Sequence, residues 1–235
     1  MARSPAVRST EREPLDRAGS AGVPHDGAPS VQNGSVVSKI IETATFSHAA
    51  PLVVSQVASD AEVERKTVEE YFSILEDLML IMRLPVFSKR AKRELLKKSK
   101  LMFFDAGVFR ALRPKGPLDT PEEIGGHALE AVVFNELRAL NEYERWGDEI
   151  FFWRTKSKHK VDFVLYGERG IVAIEVKSAA RVRQGDFDGL RLFRQDYPMA
   201  RALLLYGGSR RYHDDGVEVV PLTEFFADAT RLVHP

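Results

Sequence analysis

The chain has 235 residues, 44% of them hydrophobic and 29% charged, with 34 basic and 34 acidic side chains. That balance suits one large folded domain or two small ones, and zero net charge leaves any polyanion contact to local patches. Absence of cysteine excludes disulfides, zinc–thiolate sites and iron–sulfur clusters, and no apolar run approaches the roughly 20 residues of a membrane span. The start also lacks an apolar signal-peptide core, so a cytoplasmic protein without membrane contact is expected.

Residues 1–34 are rich in Pro, Gly, Ser and Ala, carry mixed charge and hold no aromatic side chain. Such a segment buries too little apolar surface to offset its ordering entropy, and it reads as disordered. No G-x-x-x-x-G-K-[ST] occurs in the chain, so ATP is not an expected ligand.

From Ser35 the apolar residues Val36, Val37, Ile40, Ile41 and Ala44 recur at helical spacing. A short helix capped by Ser55 follows, and then a helix opened by Thr67 and Glu70, at capping-box spacing. Its expected inner face is Val68, Tyr71, Phe72, Leu75 and Leu78. Residues 80–87 read as a strand and 100–104 as its return. Three short helices and a β-hairpin predict a winged helix-turn-helix over residues 35–114.

Glu69, Glu70, Glu76 and Asp77 make the third helix a poor partner for phosphates. The hairpin is the better candidate. Lys89, Arg90, Lys92, Arg93, Lys97, Lys98 and Lys100 stand against Glu94 alone. This patch is either a nucleic-acid contact or a solvated basic tip.

Residues 105–117 look like a domain boundary. Beyond it, Thr120 and Pro121 mark a helix start, and the helix over 125–141 has an apolar face of Leu129, Val133, Phe134, Leu137 and Leu140 with Glu130 beside it. Strands are expected at 150–154, 161–165 and 171–177, a basic loop at 178–185, a helix over 186–197, strands at 202–206 and 217–220, and a closing helix over 222–233. Residues 115–235 thus predict a mixed α/β domain of order α-β-β-β-α-β-β-α, and Phe152 and Trp153 are expected in its core.

Charges inside two of those strands call for an explanation. If Gly167-Glu-Arg-Gly170 is the turn, antiparallel pairing sets Asp162 opposite Glu175, and Glu175 shares its face with Lys177. A slip of one residue would send Asp162 into the apolar layer, which favours this register. Two carboxylates this close repel unless a cation lies between them, and oxygen ligands favour Mg²⁺ or Mn²⁺. Asp162, Glu175 and Lys177 then have the chemistry of metal-assisted phosphodiester hydrolysis. The competing reading is an internal ion pair of Lys177 with one acid. His127, three residues before Glu130, could join a metal site but is more simply a surface residue.

Asp162 on one strand, Glu175-Val-Lys177 on the next and Glu130 on the preceding helix resemble the PD-(D/E)XK nuclease superfamily. The words Thr67-Val-Glu-Glu-Tyr-Phe72, Lys100-Leu-Met-Phe-Phe-Asp105, Gly126-His-Ala-Leu-Glu130, Phe152-Trp-Arg-Thr155, Val161-Asp-Phe-Val164, Ile174-Glu-Val-Lys-Ser178 and Gly189-Leu190 are similar to the C-terminal half of bacterial and archaeal AAA+-type ATPases that carry a domain of unknown function. The resemblance implies a winged helix followed by a PD-(D/E)XK-like domain, with the ATPase module missing. It assigns the metal-binding acids to Asp162 and Glu175, the motif lysine to Lys177 and the helix acid to Glu130. Three functions follow as expectations: a Mg²⁺-dependent nuclease, a non-catalytic nucleic-acid- or protein-binding module, or a remnant without present function.

Overall fold

The computed structural model describes residues 31–117 and 119–235. The expected disorder of residues 1–30 lies outside them. Helix α1 begins at Val31 and runs to Thr45, so residues 31–34 are helical, not part of a disordered leader.

Strand β1 (Ala50–Pro51), α2 (Val54–Asp60), α3 (Arg65–Asp77), β2 (Ile81–Leu84), β3 (Lys100–Phe103) and α4 (Ala106–Leu112) follow. Strands β2 and β3 pair antiparallel, with Ile81 opposite Phe103, and β1 joins the far side of β3. Two capping expectations fail. Ser55 lies within α2, whose N-cap is Val53, and α3 starts two residues before Thr67, after an extended Glu64. Val68, Phe72 and Leu75 are buried as expected, whereas Leu78 ends the helix and is exposed. The expected strand over 80–87 stops at Leu84, since Pro85 has no N–H to continue the ladder. Residues 106–112, expected to be boundary loop, form α4, whose first turn is capped by Asp105 accepting from the Val108 N–H at 2.6 Å.

Residues 85–99 do not project as a free hairpin tip. They run beside strand β4 (Glu149–Arg154) and exchange backbone hydrogen bonds with it: Phe87 N to Phe152 O at 2.7 Å, Phe152 N to Pro85 O at 3.0 Å and Leu96 N to Arg154 O at 3.0 Å.

Helix α5 (Pro121–Tyr143) starts as read, with Thr120 Oγ1 accepting from Glu123 N and Pro121 at the first position. Then come β5 (Lys160–Gly167), β6 (Gly170–Lys177), a 3₁₀ turn at Gln184–Phe187, α6 (Asp188–Asp196), β7 (Arg201–Tyr206), β8 (Tyr212–Asp214), β9 (Val217–Pro221), α7 (Leu222–Ala227) and α8 (Ala229–Val233). β8 was not foreseen, and the single closing helix breaks at Asp228, which caps α8. The six-stranded sheet has order β4-β5-β6-β7-β9-β8; β6, β7 and β9 run parallel and the outer pairs antiparallel. The fold is mixed α/β.

Side chains from the two faces of this sheet enter two cores. Phe163, Leu165, Ile174 and Val176 pack with Phe134 and Leu137 of α5; Leu84 and Met102 of the first sheet join them. Val164, Ala173 and Leu204 pack with Leu190 and Phe193 of α6. Phe152 and Trp153 are both buried. Ile124 and Ala128, early in α5, belong to the core under α1–α3, so one helix serves both halves.

Candidate functional site

Register between β5 and β6 follows the turn at Gly167 and Gly170, with Tyr166 opposite Ile171 and Phe163 opposite Ile174. There the ladder ends. Opposite β4, the pairing skips from Phe151–Val164 to Trp153–Val161, so β5 is irregular around Asp162. Asp162 therefore does not face Glu175 across a regular ladder: its Oδ2 accepts the Val176 N–H at 3.0 Å, filling the fork where the strands separate.

Around this fork lie three carboxylates and three ammonium groups. Glu130 comes from α5, Asp162 from β5 and Glu175 from β6, and each is under 7% exposed. Lys100, first residue of β3, is 3% exposed and reaches Glu130 Oε2 at 2.6 Å and Asp162 Oδ1 at 3.5 Å. Lys160 Nζ lies 2.7 Å from Asp162 Oδ1, 3.7 Å from Glu130 Oε1 and 3.8 Å from Glu175 Oε1. Lys177 Nζ contacts Glu175 Oε1 at 2.9 Å and Asp186 Oδ1 at 3.7 Å. All four predicted residues thus meet. Lys100 and Lys160 were missed: Lys100 was placed in the surface patch but is buried among acids. Lys160 was readable, because residues two apart on a strand share a face.

Burial opposes ionisation of Asp162, yet Lys160, Lys100 and the Val176 N–H outweigh it and hold its carboxyl below the usual range. Glu175 goes the other way: burial first, then repulsion by Asp162, push it up to about 7. Its Oε2 is buried and has no hydrogen-bond partner among the described residues. Burial works against the charge of Lys160 and Lys177, but their carboxylate neighbours raise both.

Among the described residues no group of three His, Asp and Glu side chains is arranged to hold a metal ion. Asp162 and Glu175 both present hard oxygen donors here. A cation already stands between them, the Lys160 ammonium, and Glu175 keeps a free buried oxygen. His127 takes no part. Its carbonyl accepts from His48 Nε2 at 3.1 Å, while His48 Nδ1 accepts the Phe103 N–H at 3.0 Å. That doubly bonded His48 is fully buried, which pushes its pKa down to about 3, and it ties β3 to α5.

Beside Lys177 opens a cleft of about 790 Å³ lined also by Ser178, Arg181, Arg183 and Asp186. Arg181 continues into a second cleft with Arg210, Tyr206 and Tyr212. Among the described residues, Arg181, Arg183 and Arg210 are exposed and in no ion pair. The expected basic patch divides. Lys89 pairs with Glu149 and lies over the Tyr166 ring, and Arg93 binds Asp196 at 2.7 Å. Arg90, Lys92, Lys97 and Lys98 remain exposed. On α3, Glu69 and Glu76 are engaged by Arg83 of β2 at 2.9 and 3.1 Å.

A family described as "Domain of unknown function (DUF4143)" matches residues 125–225, and one described as "Domain of unknown function (DUF8612)" matches residues 29–119. No curated protein matches the chain. No helix among the described residues is long and apolar enough to cross a membrane.

Proposed function

We propose that residues 115–235 are a PD-(D/E)XK nuclease-like domain that hydrolyses phosphodiester bonds of nucleic acid, and that residues 35–114 are a winged helix-turn-helix packed against it. The domain of unknown function similar to residues 125–225 is commonly associated with AAA-type ATPases, in keeping with the resemblance of the sequence. The observation that carries the reading is the fork: Asp162, Glu175 and Lys177 gather where β5 and β6 part, beside a cleft lined by Arg181 and Arg183.

Mg²⁺ or Mn²⁺ held by Asp162 and Glu175 would supply Lewis-acid polarisation of a phosphoryl oxygen and a more acidic water. Lys177, half-buried and held by Glu175, borders the cleft and offsets phosphate charge there. Glu130 acts at one remove: it fixes Lys100, which neutralises Asp162. Arg181 and Arg183 hold the strand by its backbone.

A second reading has its own observation. Lys100, Lys160 and Lys177 already give each of Glu130, Asp162 and Glu175 an ammonium partner without a metal. On that reading the fold is a non-catalytic module that holds nucleic acid or a protein partner through its free basic side chains.

Incubation of the purified chain with labelled DNA and RNA, single- and double-stranded, in Mg²⁺ or Mn²⁺ separates the two. Cleavage lost in both Lys177→Ala and Asp162→Asn, with unchanged thermal unfolding, supports the nuclease. Salt-sensitive binding without cleavage, and unaltered by Asp162→Asn, supports the module.

A further inference from the structure

We infer that Lys160 is a tethered cation that competes with a divalent ion for the Asp162–Glu175 site, so that metal enters only when the Lys160 side chain swings out. This rests on the proposed metal-dependent reading and adds a control to it.

The three lysines of the cluster are not equivalent. Lys100 has a side chain 4% exposed and is enclosed by Glu130, Asp162 and the Phe163 ring. It cannot leave without opening the junction between the two sheets. Lys177 is held by Glu175 and Asp186 at the cleft wall. Lys160 alone combines contacts to all three acids with a side chain 40% exposed.

Lys160 is the nearest cation to Asp162, yet it is not the sole partner of any of its neighbours. With it removed, Glu130 keeps Lys100, Asp162 keeps Lys100 and the Val176 N–H, and Glu175 keeps Lys177. Its backbone, in contrast, is pinned. A Cβ at Gly189 would lie 1.8 Å from the Lys160 carbonyl oxygen, so α6 presses directly on this residue. Release is therefore a rotation of one partly exposed side chain about a fixed anchor.

The ammonium and a hard divalent ion seek the same oxygens, and like charges at contact distance exclude each other. Lys160 thus sets a threshold: the site stays closed by its own side chain until metal displaces it.

Calorimetric titration with Mn²⁺ of the full chain, wild type beside Lys160→Gln and Lys160→Arg, tests the idea. Lys160→Gln should bind at least ~10-fold more tightly than wild type, from loss of one adjacent positive charge. Lys160→Arg, which keeps the charge, should stay within a few-fold of wild type. Adding Glu175→Gln to Lys160→Gln should abolish the gain. Equal affinity in wild type and Lys160→Gln overturns the competition while leaving the metal site standing. Absence of heat from both variants and wild type overturns the metal site and the competition together. A gain in Lys160→Arg equal to that in Lys160→Gln also overturns it, since charge would then be irrelevant. Thermal unfolding in chelator confirms that each variant is folded before titration; should Lys160→Gln fail, Lys160→Met replaces it.

Discussion

Lys100 Nζ and Glu130 Oε2 lie 2.6 Å apart with both side chains under 10% exposed, joining the first strand residue of β3 to the middle of α5. Removing one member of a buried pair leaves the other charge without compensation. Lys100→Met should therefore cost roughly 3–5 kcal/mol. Adding Glu130→Leu should recover much of that loss, and a double-mutant cycle by chemical denaturation reads the coupling. Additive costs would show that the pair does not act as a unit.

Stability should carry the signature of Glu175. Its ordinary value of 4.5 is raised to about 7 in the folded chain, by burial and then by Asp162. Between these values the folded chain holds a proton that the unfolded chain has released. The stabilisation is full below pH 4.5 and is lost as pH rises through 7. Asp162 has the opposite sign: its lowered pKa stabilises above its ordinary 3.8, and that contribution fades as pH falls. Relative to Glu175→Gln, the wild type should lose on the order of 1–3 kcal/mol between pH 5 and pH 8. Parallel denaturation midpoints across that range would contradict the raised value.

Two glycines should respond in opposite ways to alanine. Gly189→Ala forces a methyl against the Lys160 carbonyl and should destabilise by roughly 1–3 kcal/mol. Gly125, in the first part of α5, has open space around its Cβ position, and Gly125→Ala should stabilise by about 0.5–1 kcal/mol. Thermal unfolding of both variants decides. A neutral Gly189→Ala would mean that α6 is free to shift away from β5.

Nucleic-acid affinity should depend on the cleft arginines more than on the paired cations. Arg181→Glu with Arg183→Glu should weaken binding ~10-fold or more and reduce the log–log salt slope by about one per lost phosphate contact. Lys89→Ala and Arg93→Ala should do less, because Glu149 and Asp196 already engage those side chains. Gel shifts across a salt series measure both. Equal losses from both pairs would place the strand elsewhere.

Period and turn chemistry made the β5–β6 pair readable: the glycines at 167 and 170 set the register, and an apolar face set the strand orientation. Thr120 and Pro121 likewise announced α5. What escaped were relations over long distance. Nothing near Lys100 in the sequence points to Glu130 or Asp162, and its setting among surface lysines pointed outward. α4 was hidden because Asp105, Ala106 and Gly107 read as a turn, although that Asp is a helix cap. The break at Asp228 has no Pro or Gly to mark it. Lys160 was legible from simple alternation, two residues before Asp162 on the same strand.

The segment of residues 85–99 has a consequence for association. β4 is the last strand of its sheet, and an open strand flank with unpaired N–H and C=O groups invites another chain to add to it. Phe87, Leu96 and Pro85 occupy that flank with their own backbone groups, while Lys92, Lys97 and Lys98 surround it with repelling charge. Like charge at such an edge disfavours pairing with a second copy, independently of any contact with nucleic acid. Shortening this segment should open the β4 flank to aggregation before it alters anything at the fork.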